Sequence, residues 1–182
     1  MGARRRNTRA ACEKVLNGLD DAMTTTATDV LFYHLERTTL EAVLPQLLEK
    51  TLERGWRAVV QAGSPERLEA LDEALWTYRA DSFLPHGTVR DGHAQVQPVF
   101  LTLGDETPNA AGVRFLVDGA EPANYEGFVR MVFLFDGNNT DAVAQARAQW
   151  KAAKAAGCGV TYWQQNTAGR WEKKAETPGG AG

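Results

Sequence analysis

Arg147, Trp150, Lys151 and Lys154 are the side chains whose types and spacing could perform recognition chemistry together. At 100° per residue, a helix from about Asp141 to Ala156 puts Val143, Arg147, Trp150 and Lys154 in one narrow stripe, with Lys151 on its shoulder. The other positions are almost all alanine or glutamine. An indole beside guanidinium and ammonium groups suits an aromatic cleft ringed by positive charge, able to bind an apolar residue next to a carboxylate. The same spacing also fits a solvated Lys/Arg face with Trp150 tucked into the core, and the helix alone does not separate the two.

A second constellation lies earlier. The run LDEALW (71–76) is followed by DSFLPH (81–86), which sets Phe83 and Leu84 on a proline-bounded loop close to Trp76. Such a pair is costly to expose, so it either folds onto the domain or forms a partner's hot spot. Catalytic patterns are missing. His34, His86 and His93 have no Cys or carboxylate at metal-ligand spacing, and His34 alternates along a strand as a packed or hydrogen-bonded residue does. Asp136 and Asp141 around Asn138 and Asn139 read as a capped strand-to-helix turn rather than a calcium loop. The sequence holds no G-x-S-x-G, and no cofactor or small-molecule substrate is implied.

Charge is segregated. Residues 1 to 28 carry five Lys/Arg against three Asp/Glu, residues 29 to 141 nine against eighteen, and residues 142 to 182 six against two. An acidic body with one basic end favours a localised acidic partner over a broad nucleic-acid surface. No apolar run approaches the roughly 20 residues that span a bilayer, and no signal-peptide pattern is present, so a cytoplasmic protein without a membrane partner is expected. Cys12 and Cys158 suggest neither a disulfide nor a metal site; Cys158 reads as a small apolar residue at a strand start.

Those residues must be held by a scaffold, and its elements alternate. Val30 to Leu35 is a strand, Thr38 or Thr39 caps a helix to Arg54 that Pro45 kinks or delays, and Arg57 to Ala62 is a second strand. Ser64-Pro65 opens a helix to about Trp76. Pro98 to Leu103, Val113 to Val117 and Phe128 to Phe135 follow as strands, then the cationic helix, and Val160 to Gln164 closes the sheet. This order predicts one α/β domain, Rossmann-like, with a mostly parallel sheet and helices on both faces. The glycine-rich turn that would hold a nucleotide after the first strand is replaced by Glu36, Arg37, Thr38 and Thr39. Residues 1–28, with Arg4, Arg5, Arg6 and Arg9, read as a disordered or artefactual extension in which Met23 is an alternative start. The domain is expected over 29–174, with a flexible tail over 175–182.

LDEALW, the gap, DSFLPH and the later R-x-x-W-K-x-x-K-x-x-G resemble the chi subunit of bacterial DNA polymerase III over about Asp29 to Lys174. The resemblance implies a non-enzymatic accessory protein of the clamp-loader assembly with a Rossmann-like fold. It implies one face for the acidic, phenylalanine-ended C-terminal tail of single-stranded-DNA-binding protein, and hence an indirect association with single-stranded DNA. By motif that face falls on Arg147, Trp150, Lys151 and Lys154. Trp150 stands where better-known members have tyrosine, Lys154 where they have arginine, and Val143 where another cation is usual, so the rim departs from the pattern. A second face, for the psi subunit or a helicase, falls on Trp76, Phe83, Leu84 and Pro85. Two other classes compete with this reading: a nucleotide-binding α/β enzyme, which needs the missing phosphate loop, and a direct single-stranded nucleic-acid binder, which would use the arginine-rich arm and the basic end.

Overall fold

The apolar run after Thr28 forms β1 (Asp29–Leu35), all but its first residue buried, and this strand lies deep inside the sheet. The computed structural model describes residues 27–180; the arginines of the extension, Cys12 and Met23 lie outside the described residues. Helix α1 (Leu40–Glu53) leads to β2 (Ala58–Ala62), and α2 (Pro65–Thr77) leads to β3 (His86–Thr88). Two single turns of 3-10 helix precede β4 (Val99–Thr102). Then come β5 (Val113–Val117), β6 (Arg130–Asp136), α3 (Thr140–Ala155), β7 (Gly159–Gln165) and β8 (Trp171–Thr177).

The eight strands form one sheet in the order β3-β4-β2-β5-β6-β1-β7-β8, parallel throughout except for the β7–β8 hairpin. Alternation along the strands divides the core into two layers. Leu31, Tyr33, Val132 and Leu134 meet Leu44, Leu47 and Leu48 of α1 and Leu71 and Leu75 of α2 on one face. Val30, Phe32, Met131, Phe133 and Val160 meet Ala146 and Ala153 of α3 on the other. The α/β class, the mostly parallel sheet and helices on both faces are all observed. Among the described residues no helix is long and apolar enough to cross a membrane.

Several local expectations are corrected. Thr28, assigned to the extension, is buried and bonds through its hydroxyl to the carbonyls of Tyr125 and Phe128. Thr39 is the N-cap residue of α1 but makes no side-chain cap bond, and the Thr38 hydroxyl accepts from Gln165 Nε2 at 2.9 Å. Pro45 does not delay α1, which starts at Leu40 and runs through the buried proline to Glu53. Ser64 does cap α2, accepting from Arg67 N–H at 3.3 Å with Pro65 in the first turn. The strand expected from Phe128 starts at Arg130. Val160 to Gln164 does not close the sheet, since β8 adds beside it as far as Thr177, through residues expected in the tail.

Gly63 sits where β2 turns into α2, and a Cβ there would fall on the Asp118 carbonyl oxygen, a backbone atom that cannot swing away. Gly112 has only a methyl of Val129 within reach, at 3.8 Å from such a Cβ. Gly63→Ala therefore costs about 2–3 kcal/mol by overpacking, whereas Gly112→Ala stays within about 1 kcal/mol. Urea unfolding of the two variants gives the comparison, and equal midpoints would contradict the close approach.

Candidate functional site

Helix α3 is cut to fit the sheet by its small residues. Asn139 caps it, its side-chain oxygen accepting from the N–H groups of Asp141 at 3.0 Å and Ala142 at 3.1 Å. Asp141 in the first turn and Lys154 in the last both suit the helix dipole. Ala146 and Ala153 are buried against β1, β6 and β7, so the helix backbone comes close and the sheet supplies the bulk: Phe32 stacks on Phe133 with centroids 4.7 Å apart. One side of α3 is pinned by Gln145, whose amide donates to the Gly119 carbonyl at 2.9 Å, and by Gln149, whose Oε1 accepts from the Tyr125 hydroxyl at 3.0 Å.

The opposite side carries the predicted cluster. Trp150 is half-buried, its ring 5.5 Å from Phe32 and edge-on to Tyr162 at 5.9 Å. It is thus neither sunk in the core nor free of it. Arg147, Lys151 and Lys154 are exposed, and among the described residues none of the three has an ion pair or hydrogen bond through its side chain. Val143, one turn earlier, is half-buried and adds no charge. The outer cations differ. Lys173 pairs with Glu176 at 2.9 Å and Lys174 with Glu172 at 2.7 Å, which leaves Arg170 as the exposed hairpin cation with no ion pair among the described residues.

Tyr162 belongs to the same surface and was not singled out from sequence. Alternation along β7 turns it and Gln164 toward α3 while Trp163 packs on the other face, and the parallel β1–β7 pairing brings it beside His34. Its hydroxyl lies 2.7 Å from His34 Nδ1, and His34 Nε2 lies 3.3 Å from Glu36 Oε1. His34 is thus the packed, hydrogen-bonded residue that its strand position predicted. Cys158, just before β7, is a buried small residue whose thiol is pushed up by burial.

The turn after β1 explains what replaces the phosphate loop. The N–H groups of Glu36, Arg37 and Thr38 converge on Gln165 Oε1 at 3.3, 3.0 and 3.3 Å. Amides that would face a phosphate in a nucleotide-binding relative of this topology are held by the protein's own carboxamide. The same three bonds tie β7 to the head of α1.

The second cluster splits. Leu84 is 2% exposed and lies in the core beneath α2, whereas Phe83 is 70% and Trp76 56% exposed, with their rings 5.8 Å apart. Pro85 is half-buried. The loop therefore folds Leu84 onto the domain and leaves Phe83 outward.

Burial raises the Tyr162 phenol above the ordinary tyrosine value, and the nearby Arg147 charge opposes that rise. The folded state keeps a proton that the unfolded chain releases near pH 10, so this group's contribution is full below pH 10 and falls as pH rises toward the folded value. Arg147→Ala raises the Tyr162 pKa further. NMR titration of labelled tyrosine ring carbons measures it, and an unchanged or lower value would contradict the placement of Arg147.

The family model for DNA polymerase III chi subunit, HolC, matches residues 27–161, which include α3 as well as Trp76 and Phe83 and stop inside β7. A curated relative described as probable DNA polymerase III subunit chi, from Rickettsia prowazekii (strain Madrid E), is 28% identical over 91 residues, 50% of this chain and 55% of the relative. The chain thus spans about half the length of that relative. With most of the folded part inside the family match, the chain belongs to the DNA polymerase III chi subunit family.

Proposed function

We propose that this protein is a non-catalytic accessory subunit of the DNA polymerase III holoenzyme, acting in the cytoplasm, that captures the acidic C-terminal tail of single-stranded-DNA-binding protein on α3. The observation that carries this reading is the cluster of three exposed cations, without ion pairs among the described residues, around the half-buried Trp150. The tail's terminal phenylalanine lies against Trp150 and Tyr162, and Arg147 with Lys151 or Lys154 holds its carboxylate. Arg170 meets the upstream aspartates at longer range; Lys173 and Lys174 contribute less because each already has a carboxylate. On the other side, Trp76 and Phe83, with Pro85 beside them, dock the psi subunit or a helicase, while Leu84 supports them from within. Single-stranded DNA is then reached through the bound tail.

Charge-assisted bonds of roughly 1.5–3 kcal/mol each, plus one covered aromatic, less the cost of association, give a Kd in the micromolar range. Added salt weakens it. Calorimetric titration with a synthetic tail peptide is the test: Arg147→Ala or Trp150→Ala lowers affinity by about tenfold or more, equivalent to 1.4 kcal/mol or above. Wild-type affinity in both variants would remove the site from α3.

A further inference from the structure

We infer that the Trp76–Phe83 face selects a cationic partner segment, apolar side chains flanked by Lys or Arg, opposite in charge to the ligand proposed for α3. The inference rests on the reading above that this face docks a protein. It goes further by naming what that protein must present.

The two exposed rings stand on a fixed base. His86, whose side chain is fully buried, places Nδ1 2.7 Å from the Leu84 carbonyl oxygen and Nε2 3.3 Å from that of Asp72, with its ring 4.7 Å from Trp76. Phe83 and Trp76 are therefore presented by an anchored loop and a helix end, so little ordering entropy opposes docking.

Carboxylates surround this base. Asp72 and Glu73 lie one turn before Trp76 on α2, and the Asp72 carboxylate is 3.4 Å from His86 Nε2. Asp81, two residues before Phe83, has an 81% exposed side chain. Cations of the neighbourhood are already engaged: Arg79 with Asp81 at 2.9 Å and Glu49 at 3.6 Å, and Arg90 with Glu69 at 2.9 Å. Glu73 is exposed and has no ion pair among the described residues. A partner bringing carboxylates to Trp76 meets like charge, whereas one bringing Lys or Arg beside its apolar residues meets unlike charge. The same fields keep the acidic ligand of α3 off this face.

The experiment uses three labelled amphipathic peptides with one identical apolar face, flanked by Lys/Arg, by Gln or by Glu, titrated onto the full chain by fluorescence anisotropy. The Lys/Arg peptide is expected to bind at least tenfold more tightly than the Glu peptide at low salt, with the gap closing as salt rises. All titrations are made in the Arg147→Ala background, which weakens the α3 site proposed for acidic peptides, and there Phe83→Ala removes binding of all three. The exposed-site double variant Glu73→Lys/Asp81→Lys, checked for native circular dichroism, reverses the order. Equal affinity of the Lys/Arg and Glu peptides, still lost on Phe83→Ala, would overturn the charge assignment and leave the docking face standing. Absence of any binding sensitive to Phe83→Ala would overturn both.

Discussion

A sheet whose strands are buried on both faces needs a helical layer on each, and on one side here the helix is made largely of alanine. Alanine brings little volume, so the helix must come close and the strands must fill the layer. Phe32, Phe133, Phe135 and Tyr162 do so from β1, β6 and β7. The consequence reaches the surface. Because the layer's centre is filled by sheet aromatics, the one large residue of α3, Trp150, is held at the rim against Phe32 and Tyr162. Among the described residues no acidic helix faces the cations one turn to either side. A leucine-rich helix would stand further off and turn this rim into ordinary core edge. The alanine-rich composition is thus what leaves Trp150 at the rim, where the recognition surface is proposed.

The remaining polar burial is spent on fixing strand ends. Arg114 and Arg130 are each only 1% exposed. Arg130 on β6 reaches Asp29 of β1 through Nε at 3.1 Å and Nη2 at 2.9 Å, with its guanidinium 5.9 Å from the Trp56 ring. Arg114 on β5 donates to the Asp105 carboxylate at 2.9 Å, the Asp105 carbonyl at 2.7 Å and Thr107 at 2.8 Å, over the face of Phe128 at 4.8 Å. Burial pulls the Arg114 guanidinium below its ordinary value while Asp105 and Glu106 oppose that shift. Such pairs add little net stability over apolar packing, yet losing one partner strands a buried charge. Arg114 fastens the long connections on either side of β5, through Asp105 and Thr107 before it and the Phe128 ring after it, whereas Arg130 ties the start of β6 to that of β1. Asn109 adds to this, donating to Ala58 and Gln97 carbonyls at 2.9 and 3.0 Å.

What the sequence made legible follows from where the physics is local. Six strands announce themselves as apolar runs because parallel strands between two helical layers have no wet face. The stripe of Arg147, Trp150 and Lys154 is a property of one helix and could be drawn without any fold. β3 has only three residues, one of them glycine, and β8 reads W-E-K-K-A-E-T, so neither carries the apolar signal of a covered strand. A register irregularity at Tyr162/Trp163 further breaks β8's alternation. Tyr162 and the cap by Gln165 were hidden for another reason: both depend on β7 lying beside β1, a neighbour relation set by the crossover of α3 and by no local pattern. Phe83 and Leu84 are adjacent in a loop without period, so composition could show that one must be costly to expose but not which one turns outward.

Strand order also decides how the two proposed surfaces relate. α3 lies over β6, β1 and β7, whereas Trp76 and Phe83 sit by β3 at the far edge and on the opposite face. From β3 to β1 there are five interstrand steps in the order β3-β4-β2-β5-β6-β1, roughly 24 Å at about 4.8 Å each. A link between two partners requires that neither excludes the other, and this distance through the full thickness of the sheet provides that. Coupling between the two surfaces would need an element with two packed arrangements lying between them. The intervening β2, β5 and β6 are paired in parallel with continuous registers and are almost wholly buried, which leaves no such element. As proposed, the two faces are independent contacts on one rigid body, and their ligands are distinguished by the sign of the charge around the half-buried Trp150 and the exposed Trp76.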